Sequence, residues 1–289
     1  MTYTVTKEDA GIVVREFLRA HGVTARCLRR LKETHNGITL NGAPCTVRAL
    51  LREGDKLALL IEETPAAPLA PLSPVPVLYE DEWLIVFDKP AGMPTHQSAG
   101  HRGDTLADAI LGLPGAPTVF RAVNRLDLGT SGVVLVARHQ QAAGFLSACM
   151  AAGRIQKEYL AIIDKPLSPA SGLMTDHIAR EGDSIIRRMT VPRGMGDYAE
   201  AAYQTVSAHD QYILVRLYPR TGRTHQLRVQ LSSRGSPIVG DDLYGGSPDL
   251  PRAALHAARL TFPHPNGGAI TVEAPLPEDM CRIFNKEGV

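Results

Sequence analysis

The stretch NRLDLGTSGVVLVAR, residues 124–138, joins a turn to an apolar strand near the middle of the 289-residue chain. Five consecutive apolar residues, 133–137, are typical of a buried strand. Gly129 and Gly132 allow a tight turn before that strand, and the strand gives the loop a fixed platform. Asp127 lies in this loop, where a carboxylate either caps the turn or acts as a nucleophile or general base. No paired carboxylate lies nearby in the sequence, which argues against the two-acid chemistry of glycosidases.

The composition bounds the class of protein. The length suggests two domains, and a hydrophobic content of 44% is enough for buried cores. The net charge of +1 gives no global field that would attract nucleic acid, so any such contact must depend on local clusters. The four cysteines are scattered without a CxxC pair, which predicts neither a zinc site nor a disulfide framework. With no signal peptide and no apolar run of about 18 residues, we expect a soluble, monomeric, cytoplasmic protein without membrane contacts.

A proline-rich segment divides the chain. Residues 61–76, IEETPAAPLAPLSPVP, contain five prolines, a density that blocks helix and sheet interiors and favours extended polyproline II. We predict a semi-rigid linker over residues 63–76, between a domain of residues 1–62 and a domain of residues 77–289. The alternative is a proline-rich loop that packs on one of the domains.

The first domain carries a basic helix. Helical spacing predicts one helix within residues 10–21 and a second within 24–35, followed by an Asn-Gly hairpin and further strands in 37–61. The second helix turns Leu28 and Leu31 toward a core. Its basic residues are Arg26, Arg29, Arg30 and Lys32. A face of this kind neutralises RNA phosphates, although most charge runs are simply solvated helix faces.

The order of these elements resembles the S4 RNA-binding module, over about residues 10–60. The most specific part of the match is its ending, which comprises Asn41, Gly42, Val47, Gly54 and Asp55. The resemblance implies that the first domain is a small S4-like unit that binds RNA.

The second domain mixes strands and helices. The pattern predicts a hairpin in residues 77–90, strands in 132–138, 157–164, 199–208, 212–219 and 269–274, and helices in 105–113, 139–153 and 224–235. Because strands and helices do not alternate one for one, we predict an α+β fold with a mixed, largely antiparallel sheet.

Residues 211–240 contain five arginines and no acidic residue, which predicts a local anion site. The alternative is that these arginines pair with carboxylates elsewhere in the fold. A turn precedes the predicted helix, with Thr224 as its N-cap. Arg228 is expected to point back toward the end of this turn and to keep Asp127 ionised. The remaining residues of the predicted anion site are Thr221, Arg223 and His225.

Together these motifs resemble one family, the RluA-type pseudouridine synthases. The opening stretch is similar to the family motif HRLD-x-x-TSG, and RTGRTHQLRVQL, residues 220–231, is similar to TGRTHQIRVHL. Four further segments match in the same order: LIVFDKPAGMPTH, QKEYLAII, IVGDDLYGG and LHAARLTFPHP. The resemblance spans essentially residues 77–280 and implies the pseudouridine synthase fold. RsuA-type synthases also carry an S4 domain, but their aspartate motif differs and they lack TGRTHQ.

The resemblance implies roles for individual residues. Asp127 would be the catalytic aspartate, Tyr159 would stack on the uracil ring, and Arg228 would pair with the aspartate. Arg125 would enter the RNA stack in place of the extruded base, since a stacked uridine hides its glycosidic bond. The implied reaction breaks the C1′–N1 bond of uridine, turns the uracil and joins C5 to C1′. No atom is gained or lost, so we expect neither a cofactor nor a metal.

Asn124 departs from the family pattern, which has His at this position. Asn forms hydrogen bonds but does not titrate near neutral pH. We expect a structural or RNA-contacting role for Asn124, so that Asn124→His changes target choice and leaves turnover intact.

Three functions compete. The first is an RNA pseudouridine synthase, with large-subunit ribosomal RNA as the expected substrate and tRNA as the alternative. The second is a non-enzymatic RNA-binding or ribosome-assembly factor derived from such an enzyme, which only Asn124 favours, because Asp127, Tyr159 and Arg228 are all present. The third is a nucleoside hydrolase with an aspartate nucleophile, which would not need the basic helix.

Overall fold

The computed structural model describes two groups of elements, each with its own sheet. The described residues are 2–23, 25–60, 74–98, 100–111 and 119–284. The predicted linker of residues 63–76 lies outside the described residues as far as Ser73, so the linker and the domain boundary stay predictions. No helix among the described residues combines the length and the apolar character needed to cross a membrane.

The N-terminal group is a four-stranded sheet with two helices. Its elements are β1 (Thr2–Thr4), α1 (Val14–Ala20), α2 (Ala25–Glu33), β2 (Ile38–Leu40), β3 (Ala43–Pro44) and β4 (Lys56–Leu59). The strands pair antiparallel in the order β1-β4-β2-β3. Both helices and the strands after them agree with the prediction. The sequence does not predict β1, because three residues carry too little periodicity.

The Asn-Gly turn of the N-terminal group is fixed by side-chain hydrogen bonds. Asn41 and Gly42 both have positive φ, 51° and 84°, as a tight turn between β2 and β3 requires. Asn41 Nδ2 donates to Asp55 Oδ1, and Asn41 Oδ1 accepts from the Lys56 N–H, each at 2.8 Å. Asn41 and Asp55 therefore tie this turn to the start of β4.

The second group forms a ten-stranded sheet. Its strands are β5 (Val77–Glu80), β6 (Leu84–Lys89), β7 (Ser131–Ala137), β8 (Gln156–Ile163), β9 (Ser171–Arg180), β10 (Arg188–Val191), β11 (Asp197–His209), β12 (Tyr212–Pro219), β13 (Leu255–Pro263) and β14 (Ala269–Glu273). Its helices are α3 (Leu106–Leu111), α4 (Gln140–Ala151), α5 (Gln226–Ser232) and α6 (Glu278–Phe284). The strand order is β10-β9-β11-β12-β8-β13-β7-β6-β5, with β14 paired to β13. Among the described strands only β13 and β7 pair in parallel, which confirms the predicted α+β fold with a mixed, largely antiparallel sheet.

β7 is the strand predicted from the opening stretch, and all seven of its residues are buried. Val133 and Leu135 pack in a hydrophobic cluster that includes residues of α4. Val134 and Val136 pack in a different cluster, which includes residues of α3. Both faces of β7 are therefore covered, which explains its unbroken run of apolar residues and makes it a rigid support for the loop before it.

The sequence pattern does not predict β9, β10 or α6, and β13 enters only through a family motif. β9 has two buried apolar side chains among its ten residues, Met174 and Ile178, so its periodicity is weak. β10 has four residues and ends the sheet on one side. β9 pairs with β11 and β10 pairs with β9, so these strands form through pairing with neighbouring strands rather than through a strong local pattern.

Candidate active site

The Asp127 loop, residues 124–132, is held by hydrogen bonds on both sides of Asp127. Thr95 Oγ1 donates to Leu126 O and accepts from the Leu126 N–H, each at 3.1 Å. The Gly92 N–H donates to the backbone oxygen of residue 128 at 2.8 Å. The segment after β6 therefore fixes the backbone around Asp127, whose side chain is 22% exposed.

The Thr-Ser-Gly turn at the end of this loop packs against β13. A Cβ at Gly132 would lie 2.2 Å from Ala257 O, and the φ of Gly132 is 111°, so the position requires glycine. Ser131 Oγ lies 3.0 Å from Nδ1 of the buried His256. Burial lowers the pKa of His256 to about 4, so this histidine is neutral and supports the turn.

Arg228 on α5 lies beside Asp127, but its full ion pair is with another carboxylate. Arg228 Nε and Nη2 donate to Asp241 Oδ2 and Oδ1, both at 2.7 Å, in a bidentate pair. Arg228 Nη1 lies 3.9 Å from Asp127 Oδ2. Burial works against the guanidinium charge, but the bond to Asp241 and the charges of Asp241 and Asp127 outweigh it and raise the pKa of Arg228. Asp241, which the sequence does not single out, therefore holds the arginine that approaches Asp127.

His225 is the second side chain beside Asp127. Its Nε2 lies 3.9 Å from Asp127 Oδ2, and its Nδ1 lies 2.8 Å from the Tyr244 hydroxyl. Burial lowers the pKa of His225, although the Asp127 charge opposes this. The ring is therefore neutral near pH 7 and links Tyr244 to Asp127.

The predicted N-cap role of Thr224 is wrong. The N-cap of α5 is His225, which has a left-handed φ of 56° and makes no side-chain cap hydrogen bond, and Thr224 is exposed before it. The hydrogen bonds that hold this turn come from Gln226 instead. Its Oε1 accepts from Thr221 Oγ1 at 2.7 Å and from the Arg223 N–H at 3.0 Å. The Thr221 hydroxyl is therefore engaged within the protein.

Tyr159 and Lys157 lie two residues apart on β8 and line the same cavity. Tyr159 packs against two hydrophobic clusters, and burial raises its pKa, with a further contribution from the Asp127 charge. Lys157 Nζ donates to Thr221 O at 3.1 Å, and burial lowers its pKa. Lys157 was not predicted as a site residue, although alternate side chains on a strand point the same way, so the position of Tyr159 could have indicated it.

Lys89, at the end of β6, is a further residue near the site that the sequence patterns did not predict. Its side chain is fully buried, and Nζ donates to Pro90 O at 2.8 Å and to Met93 O at 2.7 Å. Burial lowers the pKa of Lys89 to about 7, against the attraction of Asp127. Lys89 therefore ties down the segment that in turn holds the Asp127 loop. The sequence feature that could have indicated Lys89 is the family-like segment LIVFDKPAGMPTH, which contains it.

The arginines of residues 211–240 mostly follow the alternative prediction, because four of the five pair with carboxylates. The pairs are Arg216 with Glu158, Arg220 with Glu200, Arg228 with Asp241 and Arg234 with Asp176. Arg223 is the exception: its Nε donates to Tyr198 O at 3.0 Å, and no described carboxylate pairs with it. The acid-free stretch is therefore neutralised largely by carboxylates that lie outside it in the sequence.

A cavity of about 500 Å³ lies between the Asp127 loop, β8 and the start of α5. All the predicted residues of the second domain line it: Asn124, Arg125, Asp127, Tyr159, Thr221, Arg223, Thr224, His225 and Arg228. Asp127 is the one acidic side chain among the described lining residues. Arg125 is exposed and forms no hydrogen bond or ion pair within the described part of the chain. The volume is that of an ordinary small-ligand site. The described lining includes one carboxylate, one tyrosine ring, one imidazole and several basic side chains.

Asn124 has a structural role. Its Nδ2 donates to Val133 O at 3.0 Å, and its Oδ1 accepts from the Leu135 N–H at 2.8 Å. The side-chain amide therefore bonds the backbone of β7 as a neighbouring strand would. This supports the structural half of the expectation for Asn124.

The basic helix α2 has the predicted amphipathic form. Leu28 and Leu31 are buried, and the three basic side chains that are described, Arg29, Arg30 and Lys32, are exposed. None of these three lines the cavity. The side chain of Arg26 lies outside the described residues. Contact between this helix and RNA stays a prediction.

No group of three or more His, Cys, Asp or Glu side chains within the described ranges is placed to hold a metal ion. One carboxylate beside an aromatic wall suits nucleophilic or base chemistry on a planar, partly apolar substrate.

Comparisons with known proteins agree on one family. Residues 83–233 match the family model described as RNA pseudouridylate synthase. The chain is 34% identical to the uncharacterized RNA pseudouridine synthase YjbO of Bacillus subtilis, over 96% of this chain and 99% of that protein. It is also 34% identical to the ribosomal large subunit pseudouridine synthase D of Pseudomonas aeruginosa, over 86% of this chain and 83% of that protein.

A solved structure shows the same architecture. The human RNA pseudouridylate synthase domain containing 1 superposes with a TM-score of 0.59 at 27% identity, and covers 72% of this chain and 86% of that one. The RluA-type assignment made from the motifs is confirmed, whereas an N-terminal S4 domain stays a prediction. The matching family model and the two bacterial relatives show that this chain belongs to the RNA pseudouridylate synthases.

Proposed function

We propose that this protein converts uridine to pseudouridine in RNA and that Asp127 carries the chemistry. The observation on which the proposal depends is the cavity in which Asp127 is the one described acidic side chain, with Arg228 and His225 each 3.9 Å from its Oδ2. Tyr159 lines the same cavity. The relatives named as pseudouridine synthases support this reading of the site.

In the proposed reaction the target uridine leaves the RNA stack and its uracil enters the cavity, because the C1′–N1 bond is otherwise hidden. Tyr159, whose raised pKa keeps it uncharged, offers an apolar ring on which the uracil stacks. Asp127 either attacks C1′ or removes a ribose proton. In both cases C5 replaces N1 at C1′, the C5 proton is lost and N1 gains a proton, so all atoms are conserved.

We propose large-subunit ribosomal RNA as the substrate. The relative from Pseudomonas aeruginosa is named for the ribosomal large subunit, and similarity to it covers 86% of this chain.

The exposed Arg125 at the cavity is free to occupy the space that the extruded base leaves in the RNA.

We propose further that the N-terminal group acts as an S4-like unit that contacts the RNA backbone. The support is its amphipathic helix α2, in which Arg29, Arg30 and Lys32 face solvent opposite a buried apolar side. Such a face binds phosphates in a salt-dependent way.

The competing proposal of a non-enzymatic descendant rested on Asn124. The hydrogen bonds of Asn124 to the backbone of β7 give that residue a structural purpose, so it no longer argues for a lost active site. Asp127, Tyr159 and Arg228 all line the cavity, which supports the enzyme over the non-enzymatic factor.

Pseudouridine mapping of total RNA from a strain that lacks the gene tests the proposal. We expect one or more sites in ribosomal RNA to vanish, to return with the wild-type gene and to stay absent with Asp127→Asn. The matched control is Asp210→Asn, an exposed turn residue with a φ of 52° that Asn also adopts. Mapping in which no site vanishes would contradict the proposal.

A further inference from the structure

Tyr244, in the loop after α5, contacts both residues that approach Asp127. Its side chain is buried, and its hydroxyl lies 2.8 Å from His225 Nδ1. The guanidinium carbon of Arg228 lies 5.0 Å from the centre of the Tyr244 ring, within the range of a cation–π contact. One buried tyrosine therefore supports the histidine with its hydroxyl and the arginine with its ring.

The hydrogen bonds of Tyr244 select one tautomer of His225. The Tyr244 hydroxyl oxygen accepts from the Arg188 N–H at 2.9 Å, so the hydroxyl proton is left for His225 Nδ1. With Nδ1 as acceptor, the neutral ring carries its proton on Nε2. The other tautomer would leave the hydroxyl proton without an acceptor among the described residues. Burial also lowers the pKa of His225 and keeps the ring neutral.

The Nε2–H of His225 and the Nη1 of Arg228 approach the same oxygen of the active-site carboxylate. Both nitrogens lie 3.9 Å from Asp127 Oδ2. A small movement of the Asp127 side chain would bring Oδ2 within hydrogen-bond distance of both His225 Nε2 and Arg228 Nη1. Oδ1 is then the oxygen left for the substrate, and the carboxylate is held in one rotamer.

We propose that His225 and Tyr244 are positioning residues for Asp127: the Tyr244 hydroxyl fixes the Nε2–H tautomer of His225, which orients Oδ2 and presents Oδ1 to the substrate. This inference depends on the proposed pseudouridine synthase activity. It differs from the sequence-based prediction for His225, which placed that residue in an anion site that binds RNA or the substrate. An RNA contact would change RNA affinity, whereas a positioning residue changes the rate of the bound complex.

The test compares Tyr244→Phe with the wild-type protein in two measurements. Long-range proton–nitrogen NMR of protein labelled at histidine nitrogens reports the tautomer of His225, assigned by the loss of its signals in His225→Asn. Single-turnover release of tritium from RNA labelled at uridine C5 reports the rate, and filter binding reports the dissociation constant. The matched control is Tyr203→Phe, which removes another buried tyrosine hydroxyl, bonded to Pro169 O at 3.1 Å.

We expect wild-type His225 to carry its proton on Nε2 and Tyr244→Phe to lose that preference. We expect the single-turnover rate of Tyr244→Phe to fall about tenfold and that of His225→Asn about a hundredfold, with RNA affinity within about twofold. Tyr203→Phe keeps both the tautomer and the rate. His225→Asn tolerates the left-handed backbone and serves as the second variant if Tyr244→Phe does not fold.

Two outcomes overturn the inference: a proton on Nδ1 in the wild type, or variants with wild-type rates and weakened RNA binding. Failure of the proposed function looks different, since the wild-type protein itself would then release no tritium from any RNA tested.

Discussion

The Asp127 loop and the arginine loop, defined as residues 220–225 with the start of α5 as far as Arg228, line one cavity but differ in how their charges are paired. In the Asp127 loop the backbone is bound on both sides, while the carboxylate has no cation closer than 3.9 Å among the described side chains. In the arginine loop, Arg220 and Arg228 each bind a carboxylate directly. The Asp127 loop fixes its carboxylate through backbone hydrogen bonds and leaves the carboxylate open to the cavity. The arginine loop pairs most of its guanidinium groups with carboxylates of the protein.

The difference shows why a count of charges along the sequence is a poor guide to an anion site. Five arginines without an intervening acid look like a strong site, yet four of them are paired. A single aspartate looks like weak evidence for a site, yet Asp127 has no close ion pair with a described cation and is free to act on a substrate in the cavity. The rigidity of the backbone and the distance to partners decide which charge can act.

The largest expected effect comes from removing the carboxylate that neutralises Arg228. Asp241→Asn leaves the Arg228 guanidinium, whose side chain is only 12% exposed, without its bidentate partner, so the free energy of unfolding should fall by about 3–5 kcal/mol. Urea unfolding measures this. The control is Asp176→Asn, which breaks the more exposed pair with Arg234 and should cost about 1 kcal/mol. Equal losses in the two variants would contradict the distinction between them.

Lys89, which supports the Asp127 loop, should make stability depend on pH. Its pKa is about 7 in the folded protein and about 10.4 in the unfolded chain, so above pH 7 the unfolded chain binds more protons. Stability from this group therefore rises with pH, by about 2 kcal/mol between pH 7 and pH 9. Urea unfolding should show this rise in the wild type relative to Lys89→Met. The exposed Lys165→Met serves as control, and a flat difference for Lys89→Met would contradict the lowered pKa of the buried Lys89 amine.

Asn124→His tests whether the Asp127 loop is held by its backbone. A histidine ring cannot offer a donor and an acceptor to Val133 O and the Leu135 N–H at the same spacing, so stability should fall by about 1–2 kcal/mol. Turnover should not rise. Asn266→His in an exposed turn is the control, with an expected change within about 0.5 kcal/mol. A large rate gain of Asn124→His on the same RNA would show that the position serves chemistry instead.

The smallest expected effect separates two neighbouring arginines. Arg223 has no described carboxylate partner, so Arg223→Gln should weaken RNA binding and reduce the slope of its salt dependence by about 1. Arg220→Gln should change the slope less, because Glu200 already pairs with Arg220. Binding measured over a range of salt concentrations checks this, and equal slopes for both variants would remove the distinction.

Local patterns were enough to predict β7, the Asn41–Gly42 turn and both N-terminal helices, because each depends on neighbours in the sequence. The motifs located Asp127 and Arg228 at one site, whereas the Arg228–Asp241 pair escaped prediction, because it depends on how a later loop folds back. The start of α5 was misplaced, since a left-handed His225 has no clear sequence signal. β9 was missed because pairing with β11, rather than periodicity, stabilises it.

The most direct test of the central claim is single-turnover tritium release from large-subunit ribosomal RNA labelled at uridine C5. The label leaves only when C5 joins C1′, so its release follows the proposed chemistry itself. The wild-type protein should release it, and Asp127→Asn should do so at least about a thousandfold more slowly while still binding the RNA. Release by Asp127→Asn at the wild-type rate would contradict the claim that Asp127 carries the reaction.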